Sequence, residues 1–279
     1  MTVTRLETRR VEKPWGRRKL WPGFDSVADG DAPVGEVWFQ HPGGDDPELL
    51  VKYLFTSEKL SIQDHPDDAA ARAQGYPRGK SEAWVILDAE PHATIALGMR
   101  EVYTREQLRQ GALDGAIEDM VDWKAVKAGD AIFSPAGTVH AIGAGLTLIE
   151  VQQNIDLTYR LYDYGRPREL HLDDGIAVAN PVPYVAPFIP MEAERGRLIL
   201  VDSDAFVMER WTYEGSGRFK AVAGRPVWIV PISGGGTADG EAIEPGGVWI
   251  AEGDFDLTLN PESDVVFAYP GKGVLHSPW

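Results

Sequence analysis

The chain has 279 residues, 43% hydrophobic and 25% charged, which against roughly 100 to 200 residues per domain implies one large or two modest globular domains and excludes wholesale disorder. Asp and Glu outnumber Lys and Arg by 43 to 27, a formal net charge of −16; such a surface repels nucleic acid and anionic membranes, and a phosphorylated ligand needs a locally basic pocket. The absence of cysteine excludes disulfides, thiolate metal sites and cysteine nucleophiles.

The N-terminal segment MTVTRLETRRVEKPWG carries no apolar run that could form a signal-peptide core, and no stretch of about 18 apolar residues follows; the expectation is a cytoplasmic protein. From Val34 onward, short runs rich in Val, Ile, Leu, Trp and Tyr alternate with Gly, Pro and Asp clusters, the pattern of an all-β fold. The runs read as strands over 36–39, 49–55, 60–65, 83–87, 94–97, 131–133, 146–153 and 158–162. The segment 104–123 has helical spacing, with Thr104 placed to cap and Gly111 and Gly115 placed to break it, so two short helices are expected there. Four prolines in the eleven residues Asn180 to Pro190 favour an extended linker. The expected division is a domain over 1–180, a linker over 181–190 and a smaller β domain over 191–279, with strands at 198–201, 205–211, 219–222, 227–231, 248–251 and 265–269.

Chemistry-bearing residues concentrate in the first domain. Side chains two apart on a strand share a face, so Gln63 and His65 in LSIQDHPDD point together while Asp64 points away, and Lys80 and Glu82 in GKSEAW present an ammonium and a carboxylate to one space. In VKAGDAIFSPAGTVHAIG, a Pro-x-Gly turn fixes where His140 emerges.

The spacing of Gly129, Pro135, Gly137 and His140 resembles the second motif of the cupin superfamily, a double-stranded β-helix (jelly-roll) barrel. The first cupin motif departs from its usual His-x-His form, being Gln63-x-His65. The strings QDHPDD, GKSE, QNIDLTYR, KPWG and GEVWF together resemble the type I mannose-6-phosphate isomerases, specifically short bacterial members without a large helical insertion, from about Lys13 to His171.

The resemblance implies an all-β cupin barrel with short helices plus a second, smaller C-terminal β domain. It further implies one divalent metal ion, usually zinc, on Gln63, His65, Glu82 and His140, with an active-site arginine at Arg160. That donor set suits zinc. The implied reaction interconverts mannose 6-phosphate and fructose 6-phosphate through an enediol, with Arg160 stabilising the developing oxyanion. Lys80 is a candidate for proton transfer or phosphate contact, and His65 or a metal-bound water a candidate base. Asp156, Thr158 and Arg160 share one face if their segment is extended, which lets Asp156 orient the guanidinium. Trp15 is a candidate sugar-site wall. Arg166 and Arg168 are either phosphate donors or surface residues. His41, His92, His171 and His276 read as structural or surface residues, and the second domain as support. Two rivals use the same barrel: a sugar-phosphate-binding cupin without turnover, and a non-haem iron oxygenase, against which Gln63, Lys80 and Arg160 argue.

Overall fold

The computed structural model describes residues 2–21 and 23–277. A six-stranded antiparallel sheet is formed, in spatial order, by Glu7–Arg17, Val34–Gln40, Leu49–Thr56, Leu146–Gln153, Glu82–Ala89 and Ala131–Ser134. Facing it lies a five-stranded sheet of Tyr159–Tyr162, Ile62–Asp64, His140–Ile142, Thr94–Met99 and Val121–Ala125. The two meet over Leu54, Trp84, Ile86, Ile95, Leu97, Ile142 and Leu148. They form the expected double-stranded β-helix barrel.

The central strands Leu49–Thr56 and Leu146–Gln153 are buried along their whole length, which requires cover on both faces. Alternation separates the two environments. Leu54, Trp84, Ile86 and Leu148 face the barrel, while Val51, Tyr53, Phe55, Val85, Ile149 and Val151 face outward. The outward face packs on Leu200, Phe206, Met208, Trp228, Val230, Ile250, Val266 and Ala268. These come from a seven-stranded sheet of Val3–Arg5, Trp249–Ala251, Val227–Ser233, Asp264–Pro270, Phe206–Trp211, Arg197–Asp202 and Met191–Glu194. The far side of that sheet closes on a four-stranded one of Gly215–Phe219, Phe255–Leu259, Gly236–Ala238 and Glu241–Ile243. An aromatic core that includes the stacked Phe219 and Phe255 fills the space between them. The C-terminal half is therefore bonded to the first by sheet-on-sheet packing, and strand Val3–Arg5 crosses over to pair with Trp249–Ala251.

Helices cover the outer face of the five-stranded sheet through Leu108, Ala112, Ile117 and Ile176. Thr104 caps Arg105–Asp114 as expected, with Gln107 bonding back to its backbone. Gly111, expected to break this helix, lies inside it; a Cβ there would sit 2.4 Å from Met120 Sδ, so the glycine serves packing of the neighbouring helix Ile117–Met120. The helical reading to Trp123 is also corrected, because Val121–Ala125 pairs as an edge strand with Thr94–Met99. The expected strand at 219–222 lies earlier, at Gly215–Phe219. Strand Glu7–Arg17 escaped the sequence reading because its first seven residues are mostly exposed and charged, and helices Asp68–Ala73 and Leu172–Val178 because they are too short to display a period.

Asp64 points away from the barrel interior, as its strand position requires. It is fully buried, packed near Gly175 and Leu161, and neither carboxylate oxygen has a hydrogen-bond partner. Burial pushes its carboxyl well above the usual range.

Two outcomes are expected. A chain ending at residue 180 leaves Val51, Tyr53, Ile149 and Val151 uncovered, and should aggregate or lose fixed tertiary packing; gel filtration and near-ultraviolet circular dichroism check this, and a monodisperse native-like fragment would contradict it. Asp64→Asn should melt higher than wild type at pH 8. A raised carboxyl pKa costs stability once pH exceeds the unfolded value, about 4, so the gain should be at least about 2–4 °C at pH 8 and vanish towards pH 4. Melting curves across that range decide it.

Candidate active site

One register line builds the centre. On the five-stranded sheet Gln63 lies opposite both His140 and Arg160. From the facing sheet comes Glu82, paired with Gln152 and Ser134. The Pro-x-Gly turn anchors the His140 strand, because Gly137 N–H donates to His65 O at 2.8 Å and Thr138 N–H to Pro135 O at 3.1 Å. Gly79 permits a close approach: a Cβ there would lie 2.4 Å from the Asp67 carbonyl carbon, and the contact lets Lys80 N–H reach Pro66 O at 3.0 Å.

His65, Glu82 and His140 converge, fully buried, with candidate ligand atoms within 4.8 Å of one another. His65 Nε2 is 3.2 Å from Glu82 Oε1 and His140 Nε2 3.5 Å from Glu82 Oε2. Each imidazole spends its Nδ1–H on a backbone carbonyl, Leu157 O at 3.0 Å for His65 and Thr138 O at 2.8 Å for His140. Burial, the largest cause, together with Lys80 lowers the His65 pKa to about 3, and burial lowers that of His140. Both rings are thus neutral with a lone pair on Nε2. Burial opposes ionisation of Glu82, yet Lys80 and the two histidines hold its carboxyl well below the usual range. Two lone pairs and a carboxylate face one another with no proton between them, and His65 Nε2 has no hydrogen-bond partner. A divalent cation fits that gap, and the carbonyl bonds to Nδ1 are the outer support such ligands carry. Gln63 lies 3.4 Å from His140 Nε2, with its Oε1 accepting from Ser61 Oγ at 3.0 Å. Exchanging the two ends of the amide keeps a bond to Ser61 and would turn the carbonyl oxygen towards the gap between the histidines and Glu82.

A cavity of about 260 Å³ opens beside the cluster, lined among others by Trp15, Lys52, Lys80, Glu150, Arg160 and Arg168. Lys80 Nζ is 3.1 Å from Glu82 Oε1 and 3.3 Å from Thr158 Oγ1, so the shared-face expectation for Lys80 and Glu82 holds. Arg160 lines the cavity, but its guanidinium donates to Glu169 O at 2.6 Å. The chain is not a strand at Asp156, since the strand starts at Tyr159, and no hydrogen bond joins Asp156 to Arg160 among the described residues. Asp156 lines the cavity without orienting the guanidinium. Burial and the neighbouring Arg168 lower the Arg160 pKa. Arg168 faces the cavity; Arg166 does not line it. His65 donates Nδ1–H to Leu157 O and keeps the lone pair of Nε2 beside Glu82. His171 accepts a hydrogen bond from Arg160 N–H at 3.2 Å, a positioning contact, while His41, His92 and His276 lie outside the cavity.

The sequence reading missed the opposite wall. Lys52 and Glu150, buried and directly paired across two strands, meet at 3.0 Å. Lys52 also bonds Gln152 and lies 4.7 Å over the Trp38 ring. Glu150 accepts from Trp84 Nε1 at 3.0 Å, and its carboxyl is raised by burial and by Glu82. Lys13 pairs with Glu36 at 3.2 Å. The available signal was a single charge in each of two otherwise uncharged strands, LLVKYLFT and LTLIEVQQ.

No family model matches the chain. It is 32% identical over 234 residues to a Bacillus subtilis protein described as a probable mannose-6-phosphate isomerase, covering 77% of this chain and 74% of that one. It is 35% identical over 199 residues to mannose-6-phosphate isomerase of Streptococcus mutans, where the match takes in 67% of this chain and 61% of the relative's length. In structure it superposes on the mannose 6-phosphate isomerase of Bacillus subtilis with a TM-score of 0.79 at 27% identity, covering 95% and 98% of the two chains. It shares its fold with a variant of phosphomannose isomerase from Salmonella typhimurium, TM-score 0.74 at 14% identity over 97% and 100%. With the ligand cluster, the paired lysine and the arginines in place, the chain belongs to the type I mannose-6-phosphate isomerase (phosphomannose isomerase) family of the cupin superfamily.

Proposed function

We propose that this chain interconverts mannose 6-phosphate and fructose 6-phosphate, using one divalent ion, zinc, held by His65, Glu82, His140 and Gln63. The observation that carries this reading is the pair of Nε2 lone pairs and the Glu82 carboxylate facing each other without a proton, beside a cavity lined by Glu82 together with Gln63, Lys80, Arg160 and Arg168. Two imidazoles, a carboxylate and an amide oxygen are nitrogen and oxygen donors that zinc takes. Bound there, the ion supplies Lewis-acid polarisation of adjacent sugar oxygens.

The reaction moves one proton between C2 and C1 and a second between the oxygens on those carbons, which shifts the carbonyl by one position, so no external oxidant or reductant enters. Arg160 supplies a fixed positive charge to the oxygen that becomes negative in the enediolate. Lys80, buried against Glu82, sits at the reacting end, which favours proton transfer over phosphate contact for this lysine. Glu150 lines the same space, and burial and Glu82 raise its carboxyl pKa, which makes it a candidate proton-transfer group. The more exposed Arg168 is left to meet the phosphate. Trp15 walls the sugar side.

A coupled assay for fructose 6-phosphate formed from mannose 6-phosphate should lose its signal on chelation and regain it with zinc; a protein inactive with every divalent metal sinks the reading in favour of a sugar-phosphate-binding cupin. His140→Ala should lose bound metal and activity together, and full metal occupancy in that variant would refute the ligand set. Arg160→Ala should retain metal and fold while losing about two to three decades of turnover. Wild-type turnover would remove Arg160 from the mechanism.

A further inference from the structure

The arginines beside the cavity are organised by one carboxylate. Residues 163–166 form a tight turn in which Arg166 N–H donates to Asp163 O at 3.0 Å, with Tyr164 and Gly165 both at positive φ, 53° and 79°. This is the geometry of a type I′ turn, one that glycine relieves and tyrosine does not. The turn folds the chain back so that both later arginines reach the Asp163 side chain. Arg166 donates Nε and Nη2 to Asp163 Oδ1 at 3.1 and 2.7 Å. Arg168 donates Nε to Oδ2 at 2.6 Å and Nη2 to Oδ1 at 2.7 Å. The Asp163 side chain is only 2% exposed.

The two guanidiniums differ in what remains free. Arg166 also donates Nη2 to Lys59 O at 2.8 Å, approaches Glu58 at 3.6 Å and lies over the Tyr164 ring, so it is consumed by structure. Arg168 keeps Nη1 and lines the cavity next to Arg160. Arg160 in turn has a buried Nε with no hydrogen-bond partner. Asp163 and Glu58 offset two of the three guanidiniums, so the arginine cluster keeps a net positive charge, as an anionic phosphate monoester requires.

We propose that Asp163 is a positioning residue for substrate phosphate: it holds Arg168 by a two-bonded clasp so that the remaining Nη1 meets the phosphate of the sugar. This rests on the sugar-phosphate reading given above. Without the clasp, two adjacent arginines repel and Arg168 swings into solvent. A guanidinium fixed beforehand loses less entropy when it binds an anion. Asp163 touches no substrate; it acts through Arg168.

The test uses the metal-loaded, full-length enzyme with Asp163→Asn, Arg168→Gln and the double variant, and reads mannose 6-phosphate kinetics together with inorganic phosphate binding by calorimetry. Asp163→Asn is expected to weaken phosphate binding and raise KM roughly 10- to 100-fold, the scale of one charge-assisted hydrogen bond, with kcat, metal content and melting temperature close to wild type. Added to Arg168→Gln, it should cause little further loss, because both changes remove the same contact. Independent, additive losses in the double variant, or a fall in kcat and melting temperature with KM unchanged, would overturn the proposal. Should Asp163→Asn fail to fold, Arg168→Gln alone decides: phosphate binding equal to wild type overturns it. Wild-type protein that binds phosphate through Arg168 and Asp163 but isomerises nothing would refute the isomerase reading and leave this one standing.

Discussion

The double burial of the six-stranded sheet governs everything else in the molecule. Its central strands cannot turn a face to water, because one side carries Val51, Tyr53, Phe55, Ile149 and Val151 and the other carries the ionised centre. The second β unit supplies cover for the first side. It thereby allows the second side to be spent on Lys52, Glu82 and Glu150, charges that no exposed sheet would hold in fixed positions. Burial drives the shifts of His65, His140 and Glu150, while Lys80 and the two histidines hold Glu82 low against it.

Charge is partitioned within the cavity. Lys52 is matched to Glu150, Lys13 to Glu36 and Lys80 to Glu82, so the interior carries ammonium and carboxylate groups in neutral pairs that position one another. Of the remaining lining charges Arg160 and Arg168 outweigh Asp156, which makes the cavity positive within a chain whose formal charge is −16. The acidic surface repels polyanions, while the local excess of positive charge in the cavity suits a small anion.

The His65, Glu82 and His140 cluster was legible because strand alternation and a Pro-x-Gly turn are local features, and each residue type has few uses in such a place. Lys80 was legible for the same reason, as the i, i+2 neighbour of Glu82. Glu150 and Lys52 were not, although each is a lone charge in an uncharged strand. Their meaning depends on a cross-strand register between segments 98 residues apart, and no local pattern records that register. Asp156 misled for a related reason: two- and four-residue spacing implies one face only within a strand, and the strand begins at Tyr159.

Composition and local pattern by themselves determined that the chain is a β protein, that its candidate metal-ligating residues fall between Gln63 and His140, and that an anionic ligand would need a basic pocket. Those conclusions follow from periodicity and residue chemistry, which act over a few positions. Tertiary structure alone decided which arginine faces the cavity, that Lys52 meets Glu150 across two strands, that a buried Asp163 clasps Arg168, and that the C-terminal sheet covers the outer face of the six-stranded one. Each of these depends on where a chain arrives after a turn or a crossover, and that position is set by packing of distant surfaces against each other.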